Sequence, residues 1–285
     1  MNLFLWDKYK QIIKSAIAIL LLLLSLSCKI PESSPEKKSI DVFILAGQSN
    51  MLGYKGDATK YPKDPYKIDQ RILFYWVTPK VSSSDNKWTQ MQPQGGKYQA
   101  GRFGPEVTFS RSLVENGYNP AIFKFSCMGT SLVKDWRIRG ENGLYDKMIA
   151  EYHKAISILE KQGKTINVRA FIWIQGESDA QNELAKSYFR RLSILIKDIR
   201  ENVVGNPYLP IILGVDEQHP KVKIHPEIVE AQKRFAKSDS NTIFVSMFEL
   251  EKADLTHLTP AGLEVHGIRL FEAFNALKTM SNEHL

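Results

Sequence analysis

The sequence predicts an α/β protein built on a central parallel sheet with helices covering both faces. Six short apolar runs rich in β-branched residues recur along the chain, segments of helical period lie between them, and no internal repeat or Pro/Gly-rich linker interrupts the alternation. Composition agrees: 285 residues with 43% hydrophobic and 24% charged side chains suit one large soluble domain. Disorder, a collagen-like fibre and a disulfide-stapled mini-domain are excluded, the last because the chain has only 2 Cys.

The first run, Ile40 to Ala46, stops at Gly47 and shows no polar alternation, as expected of a strand buried on both faces. Ile72–Val77, Ala121–Phe125, Val168–Ile174, Leu209–Val215 and Thr242–Val245 repeat that pattern. Helical period marks roughly 105–116, 143–162, 180–202, 224–237 and 260–277. Strands alternating with helices give βαβ crossovers and therefore parallel pairing. The remaining long segment, 79–103, is polar and rich in Gly and Gln, and loops of that length are usually functional or mobile.

Residues 1–27 read as an export signal. Lys8, Lys10 and Lys14, against Asp7, precede an 11-residue apolar stretch from Ala16 to Leu26. A spanning helix needs about 20 such residues, whereas a secretory signal has this short form. The stretch ends Ser25-Leu26-Ser27-Cys28, which resembles a bacterial lipobox with Ser25 where Leu is more usual. On that reading Cys28 is lipidated, and the exported chain is anchored to a bacterial membrane without spanning it. Ordinary cleavage nearby and an uncleaved anchor are the alternatives. Residues 28–39, polar with two Pro, are expected to form a flexible tether, and 40–285 a single domain.

Removing 1–27 takes away three Lys and one Asp, so the formal charge falls from +7 to +5. The basic residues are scattered and form no run with interleaved aromatics, so nucleic acid is not an expected partner. Cys127 is left without a disulfide partner and is expected to be a small buried hydrophobe. No metal-ligand spacing occurs, and no cofactor is expected.

In open parallel sheets, sites form at the carboxyl ends of the strands. After the first strand comes Gly47-Gln48-Ser49-Asn50-Met51. A tight turn at Gly47 would expose the Ser49 hydroxyl beside free backbone N–H groups, which can stabilise an oxyanion. A plain N-cap role suits a lone Ser equally. Met51 departs from the G-x-S-x-G elbow of α/β-hydrolases. After the third strand comes Ser126-Cys127-Met128-Gly129, followed by Asp135-Trp136. After the fourth comes Gln175-Gly176-Glu177-Ser178-Asp179. Each also reads as an ordinary turn, with Asp179 as a helix cap. Near the C-terminus Asp254-Leu255-Thr256-His257 places an acid and an imidazole three residues apart, so that Asp254 can orient His257 as a base. A surface ion pair is the alternative. His219 precedes Pro220 in a polar loop that can line a cleft. The other His lie in or beside predicted helices or in the tail and have no constellation around them.

Together, GQSN (47–50), FGPE (103–106), the Gly129 loop, QGESD (175–179) and DLTH (254–257) resemble the SGNH/GDSL hydrolase superfamily. The resemblance narrows to its carbohydrate-esterase branch, which contains sialate O-acetylesterase-type domains and family 6 acetylxylan esterases. It runs from about Asp41 to Leu270. It implies a three-layer, flavodoxin-like α/β/α sandwich. It also implies Ser49 as nucleophile, His257 as general base and Asp254 as its orienter. Ser49 and Gly129 N–H groups and the Gln175 side chain would form the oxyanion hole. Gln48, Asn50, Glu177 and Asp179 would support it, with Glu177 a rival to Asp254 as acid partner. Cys127-Met128 makes the Gly129 loop bulkier than a Gly-rich version. Trp136, and Trp88 and Tyr98 in the 79–103 loop, offer rings for stacking on sugars, although core packing suits them as well.

The expected activity is removal of O-acetyl groups from an acetylated carbohydrate, acetylxylan or a related glycan, with a sialate O-acetyl ester as the alternative. A non-catalytic glycan-binding lipoprotein is a reading of another class, and retention of Ser49, Asp254 and His257 together argues against it. A lipid esterase would suit the anchor but not a polar Gln-rich loop.

Overall fold

A computed structural model describes residues 39–282; the expected signal, Cys28 and the tether up to residue 38 lie outside the described residues. In chain order the elements are β1 (Ser39–Gly47), α1 (Ser49–Leu52), β2 (Leu73–Thr78), β3 (Ser82–Ser83), β4 (Thr89–Gln90), α2 (Glu106–Glu115) and β5 (Pro120–Ser126). They continue with α3 (Leu144–Lys161), β6 (Thr165–Ile174), α4 (Asn182–Asp198), β7 (Ile211–Gly214), α5 (Pro220–Ile224), α6 (Glu227–Ser238), β8 (Thr242–Phe244) and α7 (Pro260–Asn282).

The sheet runs β3-β2-β5-β1-β6-β7-β8, with β4 also on β2. Six strands are parallel, as the alternation predicts. The sheet is nevertheless mixed, because β3 and β4 pair antiparallel with the outer strand β2. Both come from 79–103, where two-residue strands are too short to leave a periodic signal.

β1 sits at the centre, paired with β5 on one side and β6 on the other. Its side chains alternate between two cores. Val42, Ile44 and Ala46 join the cluster under α3, α4 and α6, while Phe43 and Leu45 join the cluster under α2 and α7. Burial on both faces explains why the run carries no polar residue between Val42 and Ala46. From β1 the chain first winds toward β2, then returns through β5 and crosses to β6. That reversal is where ligand crevices form, outside the carboxyl ends of the strands.

A buried ion pair joins β5 to α2. Lys124 of β5 and Glu106 of α2, both fully buried, meet at 2.6 Å. Glu106 Oε1 also accepts from Gln94 Nε2 and the Gly104 N–H, and Lys124 donates to the Leu52 carbonyl at 3.3 Å. The Glu of the FGPE motif therefore ties β5 and α2 to the end of α1.

Candidate active site

Five loops meet above the sheet, those that follow β5, β1, β6, β7 and β8. They enclose a cavity of about 530 Å³ lined by Ser49, Gly129, Glu177, His219 and His257, among others.

Ser49 opens α1 immediately after the strand. The bend is possible because position 47 is glycine: Gly47 has φ +149°, and a Cβ there would lie 2.1 Å from the Ile174 carbonyl oxygen. As first residue of a helix, Ser49 has an N–H with no intrahelical acceptor. Its hydroxyl makes no hydrogen bond among the described residues. Across the cavity Gly129 adopts φ +64° with open space around it, so glycine is needed there for conformation rather than room.

His257 faces the same cavity. Both Asp254 carboxylate oxygens lie 3.0 Å from its Nδ1. Two carboxylate acceptors require the proton on Nδ1, which leaves the Nε2 lone pair free as a base. Asp254 Oδ1 also accepts from the Thr256 N–H, the Thr256 hydroxyl and the His257 N–H. Partial burial works against its ionisation, but the hydrogen bonds from His257 and Thr256 outweigh it and hold the carboxyl well below the usual range. The carboxylate at His257 is thus Asp254. Glu177 instead accepts from the Asp216 N–H at 3.1 Å.

Asn50 fixes the His257 loop relative to Ser49. Its Nδ2 donates to the Thr256 carbonyl at 3.1 Å, and its Oδ1 accepts from the Leu258 N–H at 3.2 Å. One side chain adjacent to Ser49 thereby holds the backbone on either side of His257. Lys252 braces the same loop, donating to the Leu255 carbonyl at 2.8 Å and pairing with the buried Asp216. The Tyr54 ring lies against the His257 ring, centroids 4.5 Å apart.

Glu177 lines the cavity yet is almost wholly buried, and its Oε2 has no hydrogen-bond partner within 3.5 Å among the described residues. Burial pushes its carboxyl up to about 7, against the pull of the backbone N–H groups of its own residue and Asp216. Gln48 contacts the same loop through Gly176 N–H. His219 caps α5 through Nδ1, and burial lowers its pKa.

Four expectations are corrected. Gln175 is fully buried, and its amide donates to the Thr130 carbonyl at 2.9 Å and to Asp179 Oδ2 at 2.6 Å. Both acceptors are oxygens, so the amide cannot be flipped, and no N–H is left for an oxyanion. Gln175 instead holds the loop that carries Gly129. Asp179 does so too, accepting from the Ser131 hydroxyl and the Leu132 and Val133 N–H groups. Trp136 is fully buried against Trp173 and Phe125, with its indole N–H on Thr130 Oγ1, and has no face for a sugar. Trp88 likewise packs on Tyr75 and donates to the Ala155 carbonyl. Cys127 is half-buried rather than enclosed.

The sequence reading missed Tyr54 and Lys221 on the cavity wall. Tyr54 was accessible from spacing, since it lies five residues beyond Ser49, just past the one-turn helix.

A mostly parallel sheet covered by helices on both faces, with this cavity at the turn after its central strand, is the α/β/α architecture that the sequence resemblance implies. A family profile described as "Carbohydrate esterase, sialic acid-specific acetylesterase" matches residues 39–276, and the chain belongs to that family. A probable carbohydrate esterase of Arabidopsis thaliana is 31% identical over 198 residues, 64% of this chain and 72% of that protein. The crystal structure of an Arabidopsis thaliana protein superposes with a TM-score of 0.64 at 26% identity, covering 83% of this chain and 98% of the other. NanS shares the fold at a TM-score of 0.62 and 16% identity, over 85% and 98% of the two chains. A carbohydrate acetylesterase from Xanthomonas citri shares it at 0.54 and 19% identity, over 83% of this chain and 56% of its own.

Proposed function

We propose that this chain is a serine esterase that removes O-acetyl groups from a glycan through an acetyl-enzyme. The observation that carries the reading is the shared cavity: Ser49, Gly129 and an Asp254-oriented His257 face one space. His257 Nε2 takes the Ser49 proton as Oγ bonds to the acetyl carbonyl carbon. The electron pair moves onto the carbonyl oxygen, where the Ser49 and Gly129 N–H groups receive it. Collapse re-forms the carbonyl and breaks the bond to the sugar oxygen, which takes the proton from His257. Water then attacks the acetyl-serine by the same route, releasing acetate. Asp254 stays ionised and stabilises the imidazolium in both steps.

Acetylxylan and related glycans remain our first substrate reading. The family profile, described as sialic acid-specific, supports a sialate O-acetyl ester as the second. Acetate release from acetylated xylan and from an O-acetylated sialic acid, compared between wild type and Ser49→Ala, tests the proposal. Release from either glycan that vanishes in the variant supports it. Absence of release from both by folded wild type refutes it and favours a binding role.

We propose further that the chain is exported and lipid-anchored at Cys28. The basic, apolar and Cys-terminated order of residues 1–28 supports this. Cys28→Ala is then expected to lose lipid labelling and leave the membrane fraction.

A further inference from the structure

The loop that carries Gly129 has a second face. Met128 and Gly129 look into the Ser49 cavity, whereas Cys127 and Thr130 line a neighbouring cavity of about 290 Å³. Its wall carries Lys80, Lys134, Arg137 and Lys147, and the only acid lining it is Asp135. The Asp135 carboxylate is engaged by the Ser131 N–H at 2.8 Å. Lys80, Lys134 and Lys147 are exposed and form no ion pair among the described residues. Arg137 has no acidic partner either; its guanidinium donates to the Lys134 and Glu141 carbonyls. A second, open groove shares Lys134 and Arg137 with this cavity and reaches Arg191, whose partner is Glu141. Glu141 lines that groove too and offsets Arg191, so the positive charge without an acidic partner is that of Lys80, Lys134, Arg137 and Lys147 behind the Gly129 loop.

The backbone of this wall is held in costly conformations. Eight non-glycine residues have positive φ among the described residues, and three of them, Lys80 (+62°), Arg137 (+62°) and Asn142 (+56°), line this one cavity. Arg137 combines φ +62° with ψ −167°, a region otherwise used almost only by glycine. Such strain concentrates where side chains must be aimed at a ligand. A cleft lined by one sign of charge also raises the local concentration of the opposite sign.

We infer that this cationic groove is a subsite for the anionic sugars of a glycan whose acetyl ester lies at Ser49. The position of the ester rests on the esterase reading; the binding of acidic sugar in the groove does not. A carboxylate and a sulfate would be received by the same ammonium groups. Within the acetylated-glycan reading, the substrate is therefore a chain that also bears acidic sugars, such as a uronate-substituted xylan rather than a neutral one, with its acetylated residue in one cavity and its charged residues in the other.

The test measures binding without turnover, using unacetylated oligosaccharides of equal length: a galacturonate hexamer, a sulfated hexamer and a neutral xylohexaose. The acidic oligosaccharides are expected to bind the full chain at least roughly tenfold more tightly than the neutral one. Combining Lys80→Ala, Lys134→Ala and Lys147→Ala is expected to reduce that affinity roughly tenfold, at about twofold per exposed lysine. The matching triple Lys→Arg variant keeps it, and 0.5 M salt abolishes it at a Debye length of about 4 Å. The tighter of the two acidic ligands names the recognised group. Equal binding of acidic and neutral oligosaccharides, or full affinity in the triple Ala variant, overturns the inference. Acetate release is a separate readout. Its absence with acidic binding intact refutes the esterase reading alone, and its presence with no preference for acidic sugar refutes the subsite alone.

Discussion

Asn50→Ala separates the positioning of His257 from its chemistry. The substitution deletes the bonds to the Thr256 carbonyl and from the Leu258 N–H, the backbone groups on either side of the base. Two neutral hydrogen bonds contribute about 1 kcal/mol each, and stranding the buried Leu258 N–H adds another 1–2 kcal/mol. The expected loss of stability is therefore about 3–4 kcal/mol, below the roughly 5–15 kcal/mol of a typical domain, so the variant still folds. The Asp254–His257 pair survives, because it lies within the same turn. What is lost is the register between that turn and Ser49. A displacement of about 1 Å at a reacting group can lower a rate on the order of 10²-fold. With 4-nitrophenyl acetate, kcat is expected to fall roughly 10- to 100-fold, with KM within about twofold because no contact to the small ester is removed. Urea unfolding supplies the stability term in parallel. A variant destabilised as expected but with wild-type kcat would show that Asn50 only holds the fold, and the bracketing argument would fail.

Three further outcomes follow from buried charge. Glu106→Gln leaves Lys124 without its carboxylate and is expected to cost about 3–5 kcal/mol in urea unfolding, whereas Glu106→Leu with Lys124→Met is expected to recover most of it. Glu177 has a folded pKa of about 7, raised from 4.5 by burial, so the stability it contributes is fully present below about 4.5 and lost as pH rises through 7. Glu177→Gln should therefore gain on wild type by up to about 3 kcal/mol between pH 4.5 and pH 7 or above; a constant difference across that range contradicts this. His266 is fully buried with neither ring nitrogen hydrogen-bonded among the described residues, and burial, with Arg269 adding to it, lowers its pKa to about 3. Its contribution is present above about 6.5 and lost as pH falls toward 3, so His266→Leu is expected to flatten acid unfolding measured by circular dichroism in that window.

The layers of the fold were legible because each parallel strand is buried on both faces and announces itself as an unbroken apolar run. β1, β5 and β6 fall within a few residues of expectation. β3 and β4 were not legible, since two-residue strands carry no period. In the site, Asp254 and His257 could be paired from spacing alone because one turn brings them together. Gln175 and Trp136 could not be placed. Their types suit an oxyanion donor and a sugar platform, but long-range partners, Thr130 and Asp179 for one and Trp173 for the other, consume those capacities. The Asn50 bracket joins residues more than 200 positions apart, a distance at which sequence pattern is silent. The basic groove escaped for a similar reason: Lys80, Lys134 and Lys147 are scattered in the chain and adjacent only in space.

The central claim is that Ser49 is a nucleophile activated by His257. Covalent capture tests it most directly: the chain is treated with a fluorophosphonate, which reports on an activated serine, and the adduct is located by intact mass and peptide mapping. One label per chain on Ser49 is predicted, absent in Ser49→Ala and slowed at least 100-fold in His257→Ala, on the order of a general base's usual contribution. A label on another residue, or full esterase turnover in Ser49→Ala, would contradict the account.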